Sequence, residues 1–287
     1  MKALFGPAGN SDDFYKSGGK TTAQMMAFIG QMGLTAYEYQ CGRGVNITEK
    51  TAAIIAGEAK KAGVALSLHT PYFISLASAD EQKRINSIKY IADSAKAVDM
   101  LGGERIVVHP GGLNKFTRSE AADKATLTLK QAQDNLDETG LGHIRICPET
   151  MGKMNQLGDL DEVLRFCLID ERFIPCIDFG HLNSRTGGHC QTKDEVCAVF
   201  DTVENILGAE RLKGIHVHFS KIEYSAGGEV RHLTFEDETF GPDYRPLIEE
   251  TVRRDIAPVF ICESSGTQSI DALCMSRHYA GAKSARE

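Results

Sequence analysis

Eight short runs rich in β-branched and aromatic residues recur along the chain: ALFG, AYEYQ, ALSLHT, RIVVHP, IRICPE, IPCIDFGH, GIHVHF and VFICES. Amphipathic segments of helical period separate nearly all of them, among them TTAQMMAFIGQM, SEAADKATLTLKQAQDNLDE and YRPLIEETVRR. These segments begin near Thr, Ser or Asp, whose side chains satisfy the free N–H groups of a first helical turn. Strands joined through helices pair in parallel, because the crossover returns the chain to the same edge. Eight such units close a barrel. An open doubly wound sheet is the rival, but no GxGxxG follows the first run. The expected fold is therefore α/β, a (β/α)8 TIM barrel in a single domain over residues 1–287.

Bulk properties agree and exclude some functions. A length of 287 residues suits one such barrel, and 42% hydrophobic with 25% charged residues gives an ordinary core. The eight cysteines form no CxxC pair, and Cys147, Cys176 and Cys262 sit in apolar runs, so reduced core thiols are expected. Neither a signal-peptide pattern nor a run apolar enough to span a bilayer occurs, which makes the expected location cytoplasmic, with no membrane and no obligate protein partner. A net charge of −7 gives no general support to nucleic-acid binding, although it leaves room for a local basic rim.

In a barrel of this kind the C-terminal ends of the strands carry the chemistry. The residues there are His69, His109, Glu149, Asp178 with His181, His216 with His218, and Glu263. Five of the nine histidines fall in this set. Each residue alone has an ordinary reading: a strand-end histidine in a hydrogen bond, Asp178 capping the next turn, Glu149 paired to a lysine. Together they are costly to bury without a shared cation. The mixed nitrogen and oxygen donors suit zinc, with Mn2+ or Fe2+ as alternatives, and the lack of thiolate pairs argues against a closed structural zinc site. His216 and His218 lie one residue apart and face the same way on a strand.

The blocks SLHTPYFISLAS, VVHPGG, ICPETMG, CIDFGHLN, GIHVHFSK and VFICESSG, in this order, resemble the endonuclease IV family, metal-dependent barrel enzymes that cut DNA at abasic sites. The resemblance implies two or three zinc ions. His69 and His109 would hold the first, Glu149 would bridge the first and second, Asp178, His216 and Glu263 would complete the second, and His181 and His232 would serve the third. Glu149 and Glu263 are the expected catalytic carboxylates, and His218 an auxiliary ligand or substrate contact. Two metals about 3.5–4 Å apart can activate a shared water and hold a phosphate. The implied partner is damaged duplex DNA, with Tyr72 and Phe73 as a wedge, and Arg43, Lys221 and Arg231 near the backbone. Lys153 and Arg185 lie on loops of the same face.

One block departs from the family. Its Asp-x-His stands here as GGEVRH, with Val230 at the aspartate position and Glu229 one residue earlier. Glu229 is the candidate substitute. The competing function is a divalent-metal sugar isomerase or epimerase of the same barrel type, which needs about four ligands and one ion. A silent binding module, in which metals add stability without turnover, is the third reading.

Overall fold

The computed structural model describes residues 2–286. Its strands are β1 (Leu4–Pro7), β2 (Ala36–Gln40), β3 (Ala65–His69), β4 (Arg105–Val108), β5 (Arg145–Pro148), β6 (Cys176–Asp178), β7 (His216–Phe219), β8 (Ile222–Ser225), β9 (Gly228–His232) and β10 (Val259–Cys262). Two parallel sets of four, β1-β10-β7-β6 and β2-β3-β4-β5, form the wall. They meet at two seams, through Ala8 beside Glu38 and Glu149 beside Cys176. All eight sequence runs are the barrel strands, and the fold is a TIM barrel as expected.

Helix starts follow the capping residues. Thr21, Thr48, Asp80, Thr117, Asp159, Thr192 and Asp243 each accept a backbone N–H from the first turn of the helix they precede. The apolar faces of these helices pack on the outside of the strands, where Met25, Ile29, Ile91, Leu129, Phe166, Phe200 and Ile248 are fully buried. Each such side chain contributes roughly 1.5–3 kcal/mol of burial free energy. Inside the barrel, Val107, Cys147, Ile174 and Cys176 form a second, small cluster. The eight cysteines are all free, and Cys147, Cys176 and Cys262 are buried as expected.

A closing helix and a hairpin are among the elements that lie outside the sequence reading. The helix Gln268–Arg286 closes the chain against β1 and β10. The antiparallel hairpin β8–β9 sits at the mouth and is tied to the loop after β5, with Met154 N–H donating to the Gly227 carbonyl at 3.1 Å and Glu229 N–H to that of Gly152 at 3.2 Å. No helix among the described residues is long and apolar enough to cross a membrane.

Candidate metal centre

Strand parity builds the site. Ser67, Val107, Cys147, Cys176, His216 and Ile261 each precede by two residues His69, His109, Glu149, Asp178, His218 and Glu263. Side chains two apart share a face, so the second set stands above the first at the barrel mouth. Register confirms the level for β7, since His218 pairs with Asp178 while His216 pairs with Cys176.

Four groups of donor atoms result: His69, His109 and Glu149; Glu149, Asp178, His218 and Glu263; His181, Glu229 and His232; and, reaching one level lower, Cys176, His216 and His218. In the first, the two Nε2 atoms are 3.1 Å apart, and Glu149 Oε2 lies 3.4 Å from His69 and 2.9 Å from His109. A tetrahedral zinc with bonds near 2.0–2.1 Å separates its donors by about 3.3 Å, so the triangle has the right size. In the second, His218 Nδ1 is 3.1 Å from Glu149 Oε1 and 3.5 Å from Glu263 Oε1. Glu149 thus presents one oxygen to each group.

Backbone and side-chain acceptors hold the rings. His69 Nδ1 faces the Thr70 carbonyl and His181 Nδ1 that of Thr150, both at 2.9 Å, which leaves each Nε2 free toward its group. Asp178 caps the helix Phe179–Arg185 with Oδ1, which accepts from His181 N–H at 2.7 Å. Its other oxygen is buried without a hydrogen-bond partner, as is Glu149 Oε2. Orphaned carboxylate oxygens beside imidazole nitrogens are the donor set that a divalent cation satisfies. The residues fit zinc, manganese or iron.

The electrostatics point the same way. Burial alone would raise the Glu149 carboxyl, but His109 and His218 hold it well below the ordinary range. Burial pushes His216 down to about 4, leaving that ring neutral.

His216 differs from its expected position. Its Nε2 is 3.0 Å from Glu38 Oε2, one level below the mouth, and His218 occupies the place beside Glu149, Asp178 and Glu263. Glu38, which the sequence reading passed over, is fully buried in the middle of β2. A charged residue between two tyrosines in AYEYQ was the available signal, since a strand buried on both faces has nowhere else to put it.

The altered GGEVRH block has a structural resolution. Between the pairs Glu223–Arg231 and Tyr224–Glu229 the hairpin register slips, and Val230 is the extra residue of a β-bulge. Without the bulge, Glu229 and His232 would point to opposite faces. With it, Glu229 lies 3.4 Å from His181 Nε2 and 3.8 Å from His232 Nε2, while Val230 is 51% exposed.

A cavity of about 370 Å³ opens over these groups, lined also by Tyr72, Met151, Lys153 and Gln156. Tyr72 and Phe73 are 62% and 56% exposed. The Tyr72 ring leans over His69 and His109 and against Gly42, where a Cβ would come within 2.7 Å of it. Arg43 and Lys153 are exposed. The other cations are engaged: Lys221 donates to the Asp237 carbonyl, Arg231 pairs with Glu223 at 2.6 Å, and Arg185 donates to the Met151 and Lys153 carbonyls.

Known proteins agree with this architecture. An uncharacterized protein of Methanocaldococcus jannaschii is 31% identical over 279 residues, 96% of either chain. A probable endonuclease 4 of Mycoplasma pneumoniae is 32% identical over 181 residues, covering 61% of this chain and 60% of that protein. The solved structure of a D-tagatose 3-epimerase-like protein superposes with a TM-score of 0.73 at 19% identity over 99% of both chains. Residues 26–282 match the xylose isomerase-like TIM barrel family, and the chain belongs to it.

Proposed function

We propose that the protein is a zinc-dependent phosphodiesterase that hydrolyses DNA on the 5′ side of abasic sites, with His69, His109, Glu149, Asp178, His181, His218, Glu229, His232 and Glu263 holding two or three ions. The observation that carries this reading is the number of donors: two groups share Glu149, a third of His181, Glu229 and His232 lies beside them, and together they extend past the four ligands that a single ion needs. When bound, such ions lower the pKa of a water and neutralise a phosphate. Glu149 would help to hold those ions, and Glu263, which lines the cavity, would orient that water. Lys153 adds a positive charge at the rim, and Tyr72 with Phe73 offers exposed rings to a base stack opened at the lesion. The similarity to probable endonuclease 4 supports the choice of DNA.

A small-polyol epimerase is the second reading, and two observations favour it. Glu149, Asp178, His218 and Glu263 alone make a complete one-ion set, and Lys221, Arg231 and Arg185 are already engaged within the protein. Elemental analysis of protein purified without added metal separates the two, together with incubation on an abasic duplex. Two or three ions per chain and strand cleavage are expected; one ion and an intact duplex would favour the epimerase.

A further inference from the structure

Glu38 touches four polar side chains deep in the barrel. Its Oε2 accepts from Ser67 Oγ at 2.9 Å and lies 3.0 Å from His216 Nε2. Its Oε1 lies 3.0 Å from His218 Nε2, off the line of an ideal hydrogen bond, and 3.4 Å from Gln40 Nε2. Ser67 is its register neighbour on β3, so the contact is set by the sheet itself.

His69 and His181 each rest their outward nitrogen on a backbone carbonyl, which selects the ring atom that enters the donor group. For His218 the corresponding neighbour is a carboxylate. We propose that Glu38 is a positioning residue for the metal centre: it holds the proton of His218 on Nε2, so that Nδ1 is the atom presented to Glu149 and Glu263. His216 then acts beneath it, fixing the second oxygen of Glu38 rather than binding an ion. An anionic acceptor behind a ligating imidazole also makes the ring a better donor, which a carbonyl does more weakly. The inference rests on the metal-centre reading above and is independent of the substrate.

Zinc affinity of the wild type and of Glu38→Gln is measured by competition with a chromophoric chelator. The amide keeps the size of the side chain but can accept from only one of the two rings through its single oxygen. One ion per chain is expected to bind about 10–100-fold more weakly in the variant. In 113Cd-loaded wild-type protein, which does not depend on the variant folding, 15N spectra should show cadmium coupled to His218 Nδ1 and a proton on Nε2. Equal zinc affinity in a folded Glu38→Gln, or coupling through Nε2, would overturn the role of Glu38 while leaving the metal centre standing. A wild-type chain that takes up no zinc would overturn both.

Discussion

His216 and His218 are chemically identical and face the same way, yet their surroundings divide their work. His218 has a carboxylate oxygen within 3.1 Å of each ring nitrogen, whereas His216 has one at Nε2 alone. Replacing His218 with Ala should therefore weaken one zinc by more than about 100-fold, since a lost ligand costs at least what a lost supporting contact does. His216→Ala should retain that ion and lose about tenfold or less in affinity. Chelator competition on both variants checks the order, and a reversed order would return His216 to the ligand set. The pair shows where the sequence stops being readable. Period two establishes that both side chains point into the barrel, but the level each reaches depends on how β7 slides against β6. That register is fixed by neighbouring strands and is encoded in no local pattern. His69, His109, Glu149 and Glu263 could be placed at the mouth from the sequence because each is the lone candidate at its strand end, whereas Asp178 shares its strand end with His181 and the two fall in different donor groups.

At the scale of elements, strands and capped helices were readable from period and from Thr, Ser and Asp placement, because both depend on near neighbours. The hairpin β8–β9 was not, since YSAGGEVRH is short, polar and glycine-rich and is shaped by its docking on Gly152 and Met154. Its bulge gives a direct test. Deleting Val230 restores plain alternation and turns either Glu229 or His232 away from His181. Elemental analysis should then find one ion fewer per chain with the others retained; unchanged content would mean that the hairpin holds no ion. A second prediction concerns the helix Tyr244–Arg254. Glu250, buried on that helix, accepts from Arg253 and Arg254 at 2.6 Å, and Arg253, with burial opposing and Arg254 assisting, brings its carboxyl down to about 2. Because the folded value lies below the ordinary 4.5, the stabilisation is fully present above pH 4.5 and is lost as pH falls through about 2. Glu250→Gln should cost about 1.5–3 kcal/mol at pH 7. Urea titrations of both proteins should show that gap closing toward pH 2, and a gap independent of pH would contradict the assignment.

Across the whole molecule, the barrel depends on its two seams. At the first, β1 approaches β2 so closely that a Cβ on Gly6 would lie 1.7 Å from the Ala36 carbonyl oxygen. The obstacle is backbone and cannot rotate away, so Gly6→Ala should destabilise by about 1–3 kcal/mol or more, read as a lower urea midpoint. A midpoint within error of the wild type would show that the seam can spread at no cost. At the second seam, Thr150 N–H bonds to the Cys176 carbonyl at 3.0 Å and Ile174 N–H to that of Ile146 at 3.1 Å.

Glu149 stands on that second seam with one oxygen toward β3 and β4 and the other toward β7. Its partners His69 and His109 belong to one four-stranded half, and Asp178, His218 and Glu263 to the other. An ion in the group of Glu149, Asp178, His218 and Glu263 would therefore act as a rivet between two leaves that backbone pairing joins only sparsely, and the breathing of the barrel would become a function of free zinc. Amide hydrogen exchange makes this visible. If opening the seam releases an ion, exchange at Thr150 and Ile174 should slow about tenfold for each tenfold excess of zinc over its Kd, until global unfolding becomes the faster route. Amides in the middle of the β3–β4 pairing, away from either seam, should respond only at that global limit. Equal slowing at every site from the first addition would mean that the halves never part on their own, and that the metal centre braces a barrel which opens all at once.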